Sequence, residues 1–171
     1  MKKILFLDVD GVICSEWSWH PNRYKENPKL IDPFDQECLK QLYRIIEEGG
    51  ITDIVISSCW RYGILEKTKK EFSDRNFKYV DLITGETPHL RWYWNHKEFE
   101  LDDIHHPENR GMEIEIWLSE HMKEEDYNYL ILDDDTDMLY TQRNNFIKTD
   151  SYKGLMEKHV KRALKILKRK I

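Results

Sequence analysis

The sequence predicts an α/β domain with a mostly parallel sheet, and three observations predict it. Short apolar runs alternate along the chain with amphipathic stretches of helical period. The runs Ile4–Leu7, Ile54–Ile56 and Tyr129–Leu132 lack polar alternation, which marks strands covered on both faces. Each run also stops at carboxylates or hydroxyls, as expected of strand ends that open onto a ligand crevice.

In chain order, the first strand covers about Lys3 to Leu7. Asp32-Pro33 then reads as a helix start, with Asp32 as N-cap, Pro33 at the first helical position and Asp35 in the first turn. Cys38, Leu39, Leu42, Tyr43, Ile45 and Ile46 keep helical spacing, and Gly49-Gly50 ends the helix. Strand two is about Asp53 to Ser57, followed by a weakly striped helix near Ile64 to Asp74. Strand three falls on Tyr79 to Ile83. The polar, aromatic stretch from Thr84 to Asn109 carries no assignable period. Met112 to Met122 is helical, with Ile114, Trp117, Leu118 and Met122 on one side. Strand four is Tyr129 to Leu132, strand five Phe146 to Lys148, and the last helix begins near Tyr152.

The chain has 171 residues, most simply a single domain over 1–171 with a real core. With 35% charged residues and a net charge of −5, it fits a soluble protein rather than a general nucleic-acid coat, because phosphate-backbone affinity comes largely from Lys and Arg. The basic end, Lys161 to Lys170, interleaves with Ala163, Leu164, Ile166 and Leu167 and reads as an amphipathic helix with a solvated basic face. Cys14, Cys38 and Cys59 lack metal-ligand spacing, and their odd number predicts thiols in a reducing compartment. Ile4 to Leu7 is too short for a signal peptide or a membrane span, so a cytoplasmic location and no membrane contact are expected, and no stable protein partner is implied.

The chemistry begins at Leu5-Phe6-Leu7-Asp8-Val9-Asp10-Gly11-Val12. Two carboxylates spaced i, i+2 after a strand can enter one pocket, where one attacks phosphorus and the other moves protons. Further along stand Ser57-Ser58, then Asn109-Arg110-Gly111 opening a helix, then Asp133-Asp134-Asp135. Asp-x-Asp-Gly-Val, a serine, an arginine and Asp-Asp, in that order and each at an element end, resemble the haloacid dehalogenase (HAD) superfamily of phosphohydrolases. The resemblance implies a three-layer Rossmann-like core. The short insert between Val12 and Asp32 leaves room for a minimal cap.

By that resemblance Asp8 is the nucleophile, forming an aspartyl-phosphate, and Asp10 the general acid and base. Gly11 permits the tight turn after them. The acid at Asp10 favours a phosphatase over a dehalogenase. Asp134 and its neighbour Asp133 would hold metal with Asp8 and the main-chain carbonyl of Asp10, while Asp135 and Asp137 are weaker candidates. Unit charges ~4 Å apart repel by roughly 4 kcal/mol at an effective dielectric of about 20, so a hard cation, Mg²⁺ foremost, is needed to offset the acids. Ser57, with Ser58 as the alternative, would donate to a phosphate oxygen. Arg110 would clamp nucleophile and phosphoryl group, with Lys97 and Arg91 as rivals.

Ser57-Ser58-Cys59-Trp60-Arg61, Arg110-Gly111-Met112-Glu113-Ile114, the triple aspartate and Thr149-Asp150…Gly154-Leu155 look like a subgroup of HAD domains associated with nucleic-acid end repair. The subgroup implies a phosphorylated nucleotide or polynucleotide terminus, such as a 3′-phosphate, as substrate, with Ser58, Trp60, Arg61 and Gly11 placed to bind it. Two aromatic-basic clusters, Trp17, Trp19, His20, Arg23, Tyr24 and Arg91, Trp92, Tyr93, Trp94, His96, could stack bases and meet phosphates. His105-His106 beside Asp102-Asp103 reads as a solvated polar loop. Three alternatives remain open at this level: a small-ester phosphatase or nucleotidase, a phospho-acceptor signalling domain, and a nucleotide-binding module without turnover.

Overall fold

Apolar strands need cover on both faces, and the chain supplies it with helices from both directions of winding. The computed structural model describes residues 1–16, 34–90 and 109–169. Strands β1 (Lys2–Leu7), β2 (Asp53–Ile56), β3 (Ile83–Glu86), β4 (Tyr127–Asp133) and β5 (Phe146–Lys148) form one all-parallel sheet of order β3-β2-β1-β4-β5. Four helices pack on it: α1 (Gln36–Gly49), α2 (Leu65–Asp74), α3 (Arg110–His121) and α4 (Glu157–Leu167).

Strand parity divides the core in two. Leu5 and Leu7, Ile54 and Ile56, and Leu130 and Leu132 join α1, α4 and Phe72 of α2 in the larger cluster. Ile4 and Phe6, Val55 and Ile131 join Ile114, Trp117 and Leu118 of α3 on the other side. The result is the three-layer, Rossmann-like arrangement that the apolar runs predict. The chain steps outward from β1 to β2 and β3, then returns to place β4 on the far side of β1. The switch point therefore lies at the carboxyl ends of β1 and β4, where open α/β sheets bind ligands.

Several boundaries differ from the sequence reading, each for a local reason. Asp35, not Asp32, caps α1: its Oδ1 accepts from the backbone N–H of Glu37 at 2.9 Å, and Ser15 donates to its Oδ2 at 3.1 Å. Asp32 and Pro33 lie outside the described residues. Gly50, in the left-handed region at φ 68°, ends α1 as predicted. Val80–Leu82 is a single 3-10 turn, and the third strand is the polar Ile83-Thr84-Gly85-Glu86. Its lack of apolar character follows from Gly85, which lies under the Trp117 indole; a Cβ there would sit 3.1 Å from Nε1. The last helix starts five residues later than Tyr152. Asp150 accepts from the N–H groups of Tyr152 and Lys153, and left-handed Gly154 packs so closely that a Cβ would lie 2.6 Å from the Cys38 sulfur.

Helix α3 starts two residues earlier than predicted, which matters for the site. Asn109 caps it by accepting from Met112 N–H at 2.8 Å, so Arg110 falls in the first turn. Gly111 presses against the turn after β4, where a Cβ would meet the Leu139 nitrogen and lie 2.9 Å from Met138 Cα. Fully buried Gln142 locks the contact, donating to Gly111 O at 2.8 Å and accepting from Leu139 N–H at 3.0 Å. Among the described residues no helix is long and apolar enough to cross a membrane. Gly111→Ala is expected to push α3 off this turn at a cost of about 1–3 kcal/mol. Urea unfolding checks this, and an unchanged midpoint would contradict the close docking.

Candidate active site

The parity that sorts the core also assembles the site. Ile4 and Phe6 on β1, Val55 on β2 and Ile131 on β4 share the α3 face, so the next residues in step are Asp8, Ser57 and Asp133. The ladder continues through them: Asp8 N–H donates to Leu132 O at 3.0 Å and Ser57 N–H to Leu7 O at 2.9 Å. Helix α3 enters on the same face with Arg110 at its leading end, anchored where Arg110 N–H donates to Asp137 Oδ2 at 2.7 Å.

After Asp8 the chain turns sharply. Ile13 and Cys14 N–H both donate to Val9 O, and Gly11 takes φ 67°. A Cβ on Gly11 would overlap the Asp134 carboxyl group, so glycine serves both the turn and the approach of β4's acids. Thr149 closes the loop from β5 by donating to Gly11 O at 2.7 Å.

Asp8, Asp133 and Asp134 bring one carboxylate oxygen each within 4.8 Å of one another. Asp8 is 5% exposed. Its pKa is pushed up to about 8, chiefly by burial and then by the charge of Asp133, while Arg110, the Ser58 hydroxyl and the Val9 N–H pull the other way. Asp133 is pushed up to about 6 for the same leading reason, and burial raises Asp134 too. Arg110 Nε lies 3.6 Å from Asp133 Oδ2, and the surrounding carboxylates raise the guanidinium's pKa although its burial works against them.

Buried polar atoms are normally paired. Among the described residues, Ser57 Oγ, Arg110 Nη1, Asp133 Oδ2 and Asp137 Oδ1 are buried without a hydrogen-bond partner. A hydroxyl and a guanidinium nitrogen suit an anion; a clustered carboxylate oxygen suits a hard cation. The donor set is all oxygen, so the residues fit a Mg²⁺-type ion.

Asp10 differs from Asp8. It is exposed, and its Oδ2 accepts from Trp60 Nε1 at 3.0 Å and from the Cys59 thiol at 3.2 Å. Trp60 in turn lies against Phe34, with Arg75 5.1 Å from its ring centre. Ser58 bonds Asp8 and accepts from Trp60 N–H at 3.3 Å, which leaves Ser57 as the serine with an uncommitted hydroxyl.

The family model for the HAD domain in Swiss Army Knife RNA repair proteins matches residues 4–160. The chain belongs to this family. No curated protein and no solved structure matches it. The match runs from within β1 through β5 into α4 and takes in the residues gathered above, so the HAD core is the frame in which they stand.

Arg61 of this HAD domain is not placed as the sequence suggests. Rather than facing substrate, it is buried and donates to Ser58 O at 2.7 Å, Thr87 O at 3.1 Å, Pro88 O at 3.1 Å and Glu113 Oε2 at 2.8 Å. Glu113, one turn after Arg110, also accepts from Leu90 N–H at 3.3 Å. This buried pair, together with Gln142 and Thr149, supports the site. Sequence reasoning assigned none of Glu113, Gln142 or Thr149 a supporting role, although a charged Glu113 amid Ile114 and Trp117 was a visible signal. Asp137, a weaker metal candidate in the sequence, accepts from the Arg110 N–H in the first turn of α3. The two aromatic-basic clusters, Lys97 and the Asp102–His106 loop lie outside the described residues.

Burial of Asp8 makes stability depend on pH with a definite sign. A carboxyl raised from 3.8 to about 8 favours the folded state fully below pH 3.8, and that contribution is lost as pH rises through about 8. In chelator, the thermal midpoint of wild type should therefore fall against that of Asp8→Asn as pH rises through this window. Added Mg²⁺ should recover it at the alkaline end. Parallel midpoint-versus-pH curves for the two proteins would contradict the buried cluster.

Proposed function

We propose that this HAD domain is a Mg²⁺-dependent phosphomonoesterase working through an aspartyl-phosphate on Asp8, with nucleotide or polynucleotide end phosphates, the 3′ end foremost, as substrates. One observation carries the reading. At the switch point a buried nucleophile candidate lies among anion donors with unpaired hydrogens, Ser57 and Arg110, and acids able to hold a cation, Asp133 and Asp134. The family description adds an RNA repair setting.

In this reading the phosphate ester sits over Asp8, with oxygens on Ser57 Oγ and the Arg110 guanidinium. An Asp8 carboxylate oxygen forms a bond to phosphorus as the ester P–O bond breaks, and the leaving oxygen takes the proton of Asp10. Asp10, now a carboxylate, removes a proton from water whose oxygen attacks phosphorus. The bond to Asp8 breaks, inorganic phosphate leaves and both aspartates are regenerated. Asp8, Asp133 and Asp134, with the Asp10 main-chain carbonyl, would hold Mg²⁺. When bound, it supplies positive charge that offsets the acids and polarises a phosphoryl oxygen. Trp60 and Cys59 would hold the Asp10 carboxyl beside the leaving group.

Phosphate release should be measured with Mg²⁺ on an oligonucleotide 3′-phosphate, the matching 5′-phosphate, mononucleotides and an aryl phosphate. Asp8→Asn should lose more than about 10³-fold on every substrate. Preference for the 3′-phosphorylated oligomer supports end repair, while activity confined to small esters would remove that substrate. Trp60→Phe keeps the ring against Phe34 and removes the N–H. It should cost about tenfold in kcat/KM, which reports the step that expels the leaving group, on an alkyl phosphate and little on an aryl phosphate, whose leaving group needs no proton. Equal losses on both would deny the link to Asp10.

A further inference from the structure

Charge is segregated in this chain. Residues 158–171 hold seven of its 27 Lys and Arg and none of its 32 Asp and Glu. In the structure the six of these cations that are described lie on α4 and the two residues after it. His159, Val160, Ala163, Ile166 and Leu167 turn α4's apolar side into the core, leaving Lys158, Lys161, Arg162, Lys165, Lys168 and Arg169 exposed. Among the described residues none of these six cations lies within ion-pair distance of an acid. The acid of α4, Glu157, lies in its first turn and lines a cleft with Glu37 and Gln41 on the α1 side.

One short segment joins the site to the start of this helix. The segment before α4 is tied to the catalytic loop, with Thr149 donating to Gly11 O and Leu155 N–H to Val12 O at 2.9 Å. The helix then runs to the opposite end of the sheet, where Asn128 at the start of β4 donates to Ile166 O. Its 11 residues span ~16 Å. The edge strand carries the charge alongside. Lys148 pairs in register with Asp133 at the site's rim, Arg162 donates to Phe146 O at 3.0 Å and Arg169 to Asn144 O at 2.9 Å. On the turn leading into β5, Tyr140 is 78% exposed, and the Arg143 guanidinium lies 3.9 Å from its ring centre.

We propose that the β5 edge and the basic face of α4 form the track of a single-stranded nucleic acid whose terminal phosphate occupies the site, so that its following phosphates meet these cations and a base stacks on Tyr140. The inference rests on the phosphatase reading above. A line of unpaired cations leading from a phosphate site fits a polyphosphate chain. The exposed aromatic ring beside it suits a base rather than an acidic side chain. A membrane surface fits less well, because α4's apolar side is already buried and has nothing to insert.

The test uses a 12-nucleotide single-stranded RNA 3′-phosphate, an aryl phosphate and the variant K158Q/K161Q/K165Q, whose lysines contact no part of the site. The expected result is a KM about tenfold higher for the oligomer and unchanged for the aryl ester. The slope of log KM against log salt should also shrink by about 2, since each single-strand phosphate contact contributes ~0.7. Tyr140→Ala should raise the oligomer's KM alone. Binding of the same RNA, fluorescently labelled, to Asp8→Asn with and without the lysine changes reads the track without turnover. Unchanged oligomer KM, salt slope and RNA binding would overturn the track, as would an equal loss on the aryl ester. Absence of all turnover in wild type, with RNA binding still sensitive to the lysines, would overturn the phosphatase reading and leave the track standing.

Discussion

The structure depends on the mutual repulsion of carboxylates that the fold forces together. Three strand ends converge at the switch point, and two of them deliver acids to one buried spot. Burial and neighbouring charge push Asp8 and Asp133 upward together, so the cluster is costly unless positive charge reaches it. Arg110 supplies part of that charge, and this explains how firmly the start of α3 is held. Asn109, Asp137, Gly111 and Gln142 all serve to fix one helix end. The remaining imbalance is what makes an all-oxygen cation site plausible chemistry here rather than an incidental acidic patch.

How much was legible in the sequence follows from which interactions are local. The strand-end acids, the Gly11 turn and the alternation of elements depend on neighbours along the chain, so the α/β fold class with its parallel sheet could be read in advance. Which serine keeps a buried hydroxyl without a partner could not, because it depends on parity against β1 and on the bond that Trp60 N–H makes to Ser58. Strand three was displaced because Gly85 owes its place to Trp117, 32 residues later. Arg61 looked like a substrate residue because arginine next to a phosphate site usually is one. Only the fold reveals Glu113, 52 residues away, as its partner.

That pair has a consequence for how the site is held together. A buried ion pair adds little net stability, but losing one member leaves the other charge stranded. Arg61 joins Ser58 O, Thr87 just after β3, and Glu113 of α3 in one contact set. The helix that carries Arg110 is thereby tied to the loop that carries the serines.

The loop itself, Ser57 to Arg61, acts on both aspartates at once. Asp8 and Asp10 are two residues apart, yet the chain turns at Val9 just beyond β1, so one is buried and the other faces solvent. The loop answers this with different donors: Ser58 bonds the inner carboxyl, and Cys59 and Trp60 the outer one. Ser57 keeps an uncommitted hydroxyl between them, and Arg61 anchors the far end. Both aspartates and the Ser57 hydroxyl are thus placed against five consecutive residues braced by one buried ion pair. Geometry that tight suits chemistry in which the same carboxyl must first give a proton to a leaving oxygen and then take one from water at nearly the same point.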